Sequence, residues 1–279
     1  MIECGLSTED LACYHRDGYV LRRGLFARDE VNLLRRAGKE DRVLDEHASD
    51  RADGEGGKIR LSVWNQPGDG IYGMFARCHR IVDAAEQILE GEVYHYHSKM
   101  IMKEPQVGGA WAWHQDYGYW YQNGVLFPLL TSAMIAVDAA TRENGCLQVL
   151  RGSHLLGRVN HMHTGDQAGA DPERVREAET HLELVYCEMD PGDVIFFHCN
   201  LLHRSDRNAS DHPRWSMICC YNAARNNPYK ESHHPRYTPL LKVANSKIRE
   251  VGLKRFEQDS SDVDWLDIEK RDSSARNLK

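Results

Sequence analysis

No stretch of the 279-residue chain approaches the roughly 20 consecutive apolar residues of a membrane-spanning helix, so no such span is expected. Basic residues are not in excess either. Lys and Arg number 35 against 42 Asp and Glu, a formal charge of −7. That balance offers no general attraction to nucleic acid or to an anionic membrane surface, although a local basic pocket is compatible with it. The opening Met1-Ile2-Glu3-Cys4 has neither the basic nor the apolar segment of a secretory leader. Tightly repeated cysteine spacing is also absent. Eight cysteines are spread along the chain, and Cys146, Cys187 and Cys219-Cys220 lie in apolar runs. Free buried thiols in a cytoplasmic protein are expected, rather than a disulfide framework. Internal repeats and compositional breaks are missing too. Hydrophobic residues make up 41%, enough for a real core. The expectation is one domain over 1–279, with a helical N-terminal part at about 1–92, a β core at about 93–222 and a C-terminal extension at 223–279.

What is present is a succession of short elements. Ser7-Thr8-Glu9-Asp10 has the form of a helix cap with an acidic residue at its third following position, and predicts a helix through Leu11 and Tyr14 that ends near Gly18. Tyr19-Val20-Leu21 reads as a brief strand. Val31, Leu34 and Ala37 recur at helical spacing between Arg28 and about Arg42. Residues 48–58 are small, charged and Gly-rich, and read as a mobile loop, either lid or connector. Phe75, Cys78, Val82, Ala85 and Leu89 trace one stripe of a helix from Met74 to Leu89, with Gly91 as a stop.

A long strand follows from Val93 to Met102. It places His95, His97 and Lys99 on one face and Tyr94, Tyr96, Ser98 and Met100 on the other. The His-Tyr-His spelling invites a metal reading, but packed or half-exposed histidines are preferred because a better ligand set exists elsewhere. Further strands are expected at 132–137, 146–150, 182–187, 194–197 and 215–221. A polar piece from 156 to 180 carries a short helix at 172–179, and Pro191-Gly192-Asp193 forms a tight turn. Many short strands with Gly and Pro turns, preceded by helices, fit a mainly β double-sheet jelly roll with helices packed outside. The segment from Asp259 is acidic, then basic, and its end is expected to be loose.

The chemistry centres on Trp113-His114-Gln115-Asp116-Tyr117. On an extended strand His114 and Asp116 turn to the same face, about 6 to 7 Å apart. His203, just past the apolar strand that ends in His198, is the best third ligand. Two histidines and one carboxylate form the facial triad of non-haem Fe(II) oxygenases, which leaves the opposite face open. Zinc is a rival, for hydrolysis or structure. A structural zinc would need a fourth ligand, and His198 reads better as a packed histidine. Arg214 enters the next strand and suits bidentate capture of a 2-oxo acid's remote carboxylate, with the Ser205 hydroxyl as a second donor. By itself Arg214 reads as a surface arginine, and the order of the surrounding residues favours the carboxylate role.

Trp113-His114-Gln115-Asp116, then Glu143-Asn144-Gly145-Cys146-Leu147 with Gly152-Ser153-His154, then Pro191-Gly192-Asp193 with His203-Arg204-Ser205, and finally Arg214 follow one another in the chain. In that order they resemble the phytanoyl-CoA dioxygenase family. The resemblance implies a double-stranded β-helix (cupin-like) core and the use of Fe(II) and 2-oxoglutarate. It places the metal on His114, Asp116 and His203, and the far carboxylate of 2-oxoglutarate on Arg214 with help from Ser205. Lys103 resembles a family position near the cosubstrate, although Glu104 interrupts the more usual Lys-Pro pair. The implied reaction decarboxylates 2-oxoglutarate to succinate with dioxygen and hydroxylates an unactivated carbon. Related halogenases carry a small residue where Asp116 stands, so a non-halogenating oxidation is implied.

Substrate clues are fewer. Tyr117, Tyr119, Trp120 and Tyr121 read as core packing or as a substrate wall with cation–π character. Gln148, His154 and Asn160-His161-Met162-His163 offer polar groups near the same rim. Arg158, His161 and His163 are candidates for an anionic group, and also ordinary loop residues. The basic segment from Lys230 to Arg236 either closes the entrance or caps the core. The reading is a hydroxylase of a small polar, amine- or anion-bearing metabolite. Its alternatives are a hydroxylase of a CoA thioester or natural-product intermediate and a non-catalytic cupin-like metal-binding protein.

Overall fold

The computed structural model describes residues 5–53, 56–164 and 167–255. The segment expected to be loose, from Asp259, lies outside them. In chain order the described elements are α1 (Thr8–Asp17), β1 (Tyr19–Arg22), α2 (Arg28–Glu40), α3 (Arg42–Glu46), β2 (Ser49–Ala52), β3 (Lys58–Trp64), α4 (Ile71–Arg77), α5 (His79–Ile88), β4 (Val93–Lys103) and β5 (Trp111–His114). They continue with α6 (Asp116–Trp120), β6 (Leu130–Ala136), β7 (Leu147–Leu150), β8 (His161–Thr164), β9 (Gln167–Ala170), α7 (Pro172–His181), β10 (Leu184–Cys187), β11 (Val194–His198), β12 (His203–Ser205), β13 (Arg214–Ala223) and α8 (Lys247–Arg255).

Local sequence explains most of the boundaries. The Ser7 hydroxyl accepts from the Asp10 N–H while the Asp10 carboxylate accepts from the Ser7 N–H, a reciprocal cap on α1. Gly18 ends that helix in the left-handed conformation, at φ +83°. In α2 the stripe Val31, Leu34 and Ala37 is fully buried. The helix expected over 74–89 is two helices, because Cys78 adopts an extended backbone (φ −67°, ψ 149°) between α4 and α5. Residues 48–58 are also not simply a loop: β2 pairs with β3 as a hairpin. Its charged, Gly-rich composition hid the edge strand β2, whose partner β3 is itself paired with β4.

All the strand pairs between these elements are antiparallel. A seven-stranded sheet has the order β1-β11-β6-β13-β4-β3-β2, and a four-stranded sheet the order β10-β7-β12-β5. The hairpin β8-β9 stands apart. Among the described residues no pairing joins the two larger sheets into a closed barrel. The result is a mixed α/β fold whose antiparallel core resembles a jelly roll. Helices take a larger share than the mainly β expectation allowed, because α1, α2, α4 and α5 cover one face of the seven-stranded sheet.

Alternation along the inner strands shows why they are apolar on both sides. Val194 and Phe196 of β11 pack with α1, α2, α4 and α5, whereas Ile195 and Phe197 pack with Leu147, Val149 and Cys187 of the four-stranded sheet. A strand buried on both faces has no polar side to display. A third cluster seats Leu150 and Leu202 against Val175 and Ala178 of α7. The C-terminal α8 returns to the helical layer, where Arg249 pairs with Asp29 at 2.6 Å and Ile248 is fully buried.

One irregularity matters for function. Opposite β4 the register of β13 slips between Cys220 and Tyr221, so Cys220 faces His97 and Tyr221 faces His95. Tyr96 is the extra residue of a β-bulge. The slip breaks the expected alternation of His95, His97 and Lys99. His95 turns toward Asn65 and Tyr221 on the helical side, whereas His97 joins Tyr96 against Trp120 on the inner side.

Candidate metal centre

β5 and β12 are neighbours, and His114 is directly opposite His203 in their register. The two rings lie 4.0 Å apart between centroids. Asp116 does not sit on the strand as expected. The strand ends at His114, Gln115 remains extended (φ −116°, ψ 133°), and Asp116 opens the short helix α6. Because Gln115 is extended, the two-residue alternation still brings Asp116 back to the side of His114. Each of His114, Asp116 and His203 presents one ligand atom, and these atoms lie within 4.8 Å of one another. All three residues are buried.

Backbone carbonyls orient the imidazoles. His114 Nδ1 is 2.8 Å from the Ala112 carbonyl, and His203 Nδ1 is 2.9 Å from the Leu201 carbonyl. A carbonyl only accepts, so Nδ1 carries the proton in each ring and Nε2 keeps its lone pair for a metal. Burial, reinforced by the neighbouring His203, holds His114 well below the usual imidazole value. Burial also lowers His203, against the pull of Asp116. Both are thus neutral, which is the ligating form. Asp116 accepts from Ser132 Oγ at 3.1 Å, and its other oxygen lies 3.7 Å from Lys99 Nζ. Rings of Trp111, Tyr119 and Phe197 surround the histidines at centroid distances of 5.0 to 5.8 Å.

Gln115, which carried no role in the sequence reading, clips this motif in place. Its side chain donates to the carbonyls of Gly157 (2.8 Å) and Asn200 (2.7 Å), and accepts from Val159 N–H at 2.7 Å. Its own N–H donates to His161 Nε2 at 2.9 Å. His161 gives its Nδ1 proton to Val159, so both ring nitrogens are spent inside the protein, and burial lowers it to about 4. Gly118 makes room for that ring: a Cβ there would lie 2.1 Å from it.

A second cluster lies where β4 and β13 pair. Arg214 is opposite Lys103. The guanidinium donates to Ser216 Oγ (3.1 Å) and the Gly145 carbonyl (2.9 Å), while its buried Nε has no hydrogen-bond partner among the described residues. Gly145 takes φ +77°, and a Cβ there would meet the Asp206 carbonyl at 2.2 Å, so the turn needs glycine. Lys103 donates to Ser205 Oγ at 2.8 Å and to the Asp206 carbonyl. Burial and the adjacent Arg214 hold the Lys103 ammonium well below the ordinary lysine value. Burial also brings Arg214 down to about 10. The nearby Asp138 is already paired with Arg35 at 2.7 Å. A fully buried guanidinium with an unused nitrogen beside a second buried cation suits a dianionic cosubstrate.

The remaining candidates have other surroundings. Gln148 lies opposite Arg204, on the sheet face away from His203, and binds Arg204 and Asp206. Arg158 is exposed, 4.5 Å above the Tyr121 ring. Tyr117 donates its hydroxyl to the Val125 and Leu126 carbonyls. Trp120 is buried and packs edge-on against Tyr96 and His97. His198 packs beside His154 and Tyr14, apart from the triad. The His163 side chain lies outside the described residues.

A histidine–aspartate–histidine set with one open face, near a buried arginine that suits a dicarboxylate, defines an Fe(II)- and 2-oxoglutarate-dependent oxygenase. The comparisons agree. The family described as Phytanoyl-CoA dioxygenase (PhyH) matches residues 14–216. The chain belongs to that family. It is 28% identical over 256 residues to the L-proline trans-4-hydroxylase of Streptomyces griseoviridis, covering 82% of this chain and 89% of that protein. It is also 28% identical over 238 residues to the ectoine dioxygenase of Sphingopyxis alaskensis, covering 79% and 77%. The crystal structure of EctD from S. alaskensis with 2-oxoglutarate and 5-hydroxyectoine shares the fold, with a TM-score of 0.73, 23% identity and coverage of 88% and 89%. The enzyme uses Fe(II), 2-oxoglutarate and dioxygen. Among the described residues, no helix is long and apolar enough to cross a membrane.

Proposed function

We propose that this chain hydroxylates a small polar metabolite, with iron on His114, Asp116 and His203 and 2-oxoglutarate between that iron and Arg214. The observation that supports it most is the convergence of three ligand atoms within 4.8 Å, with both histidines oriented through Nδ1. Iron and 2-oxoglutarate together supply dioxygen activation, coupled to loss of carbon dioxide and formation of succinate. The chain's own residues do the rest. Arg214 and Ser205 receive the distal carboxylate, and Lys103 holds the Ser205 hydroxyl in place. Ser132 fixes the Asp116 carboxylate. The rings around His114 and His203 exclude water from the open face, so that the substrate's C–H bond is the available reductant.

Relatives named for proline and for ectoine support a small polar substrate. The two facing sheets are read here as a double-stranded β-helix, and the free cysteines among the described residues fit a reducing cytoplasm. Anaerobic titration of the iron-loaded protein with 2-oxoglutarate should give a visible charge-transfer band. Succinate release should then require both Fe(II) and oxygen. A protein that retains zinc and binds no 2-oxoglutarate would instead be a non-catalytic metal-binding relative.

A further inference from the structure

On the inner side of the bulged strand β4, Lys103, Ile101, Lys99 and His97 follow one another at alternate positions. They set out an axis. Lys103 marks the Arg214 end, Lys99 reaches the metal ligand Asp116, and His97 lies beyond it. Four residues of extended strand separate Lys103 from Lys99, about 13 Å. Past Lys99 the walls are Trp120 and His234, the latter stacked on His97 at 4.5 Å with planes 16° apart. His234 arrives from the C-terminal extension, which Asn65 tethers through the His233 carbonyl (2.7 Å) and His234 Nδ1 (3.2 Å).

Lys99 is the unexplained group on this axis. Its side chain is 16% exposed, and among the described residues its ion pair is with Asp116 at 3.7 Å, longer than a direct hydrogen bond. Iron would take that same carboxylate. Iron(II), Arg214, Lys103 and Lys99 bring five positive charges to the axis, whereas Asp116, 2-oxoglutarate and the Asp206 carboxylate, whose charge acts on Lys103, bring four negative ones. Asp138, the next acid in reach, is already paired with Arg35. A largely buried cation short of counter-charge is disfavoured. One further anion completes the balance.

We infer that Lys99 anchors an anionic group of the organic substrate, so that the substrate is a monocarboxylate held between the iron and the His97–His234 stack. This rests on the function proposed above and specifies its substrate class. The position supports the substrate rather than the cosubstrate as the source of the anion, because Arg214, Ser205 and Lys103 gather at the opposite end of the strand.

The test uses full-length wild type, Lys99→Met and Lys99→Arg, each loaded anaerobically with Fe(II) and 2-oxoglutarate and followed by the charge-transfer band. Sodium acetate is the anion probe, with acetamide at matched ionic strength as its neutral counterpart. L-proline and L-prolinamide form a second pair. Acetate should shift the wild-type band and acetamide should not. The preference for the acid of each responsive pair should fall about 10- to 100-fold in Lys99→Met and be largely restored in Lys99→Arg. The 2-oxoglutarate titration should stay within about two-fold in all three proteins, which also shows that the variants are folded. Loss of 2-oxoglutarate affinity in Lys99→Met would assign the ammonium to the cosubstrate and overturn the inference. So would a wild-type band that ignores acetate, or an equal response to acid and amide. No band in the wild-type protein would overturn the cofactor reading, and this one with it.

Discussion

The two ends of β4 are built differently. At the Lys103 end every polar group comes from a strand or its immediate turn: Arg214, Ser205, Lys103 and the Gly145 carbonyl. At the His97 end the walls come from the short helix α6 and from the C-terminal extension, with His234 held by one asparagine. Strand-borne groups are fixed by ladders of backbone hydrogen bonds, whereas a tethered segment can be displaced for little free energy. On the function proposed above, the cosubstrate meets a rigid site and the substrate an adjustable one.

Removing metal ligands should produce the largest effect. His114→Ala or Asp116→Ala should abolish both the charge-transfer band and succinate release, a loss of at least about 1,000-fold, because two ligands do not hold iron on an open face. Retained turnover in either variant would dissolve the distinction between the two ends. Next comes Arg214→Met, expected to weaken 2-oxoglutarate by about 100-fold with iron content unchanged, since a charge-assisted pair is lost. Ser132→Ala touches only the hydrogen bond behind Asp116. It should weaken iron about 10-fold, as judged by competition with a chelator.

His234→Ala should be the mildest, raising the substrate KM a few-fold while leaving the 2-oxoglutarate titration unchanged. Burial holds both His97 and His234 well below the ordinary imidazole value, with repulsion from His234 adding to it at His97 and from His233 and Lys99 at His234. Because their folded values are depressed, the stack's contribution is present above about pH 6.5 and is lost as pH falls toward those values. The wild-type KM should rise in that acid range, and in His234→Ala that rise should be smaller. An unchanged acid profile would mean that the stack does not gate the substrate end.

Legibility in the sequence followed the same division. His114, Asp116, His203, Arg214 and Ser205 stood out because motif order and strand periodicity both pointed to them. The structure brings the three ligand candidates together and pairs β12 with β5 as that reading requires. Gln115, Ser132 and Lys99 did not stand out. A glutamine between two ligands, a serine in an apolar strand and a lysine on a His-rich strand each have ordinary readings, and only their contacts distinguish them. His161 read as a substrate contact because it is a histidine on a polar connection. Its two hydrogen bonds instead tie the metal loop to the next segment.

The sequence by itself determined the ligand chemistry and the apolar strands that carry it, since these depend on residue type and local period, while the reaction class came from the ordered motifs that resemble the family. Tertiary structure decided which way β4 faces, through one slipped pair at Cys220 and Tyr221, and which distant segment stacks on His97. A bulge reverses the alternation beyond it, and a tether such as Asn65 to His233 spans 168 residues. Neither is encoded in a local period, because each depends on a partner that only the folded chain brings near.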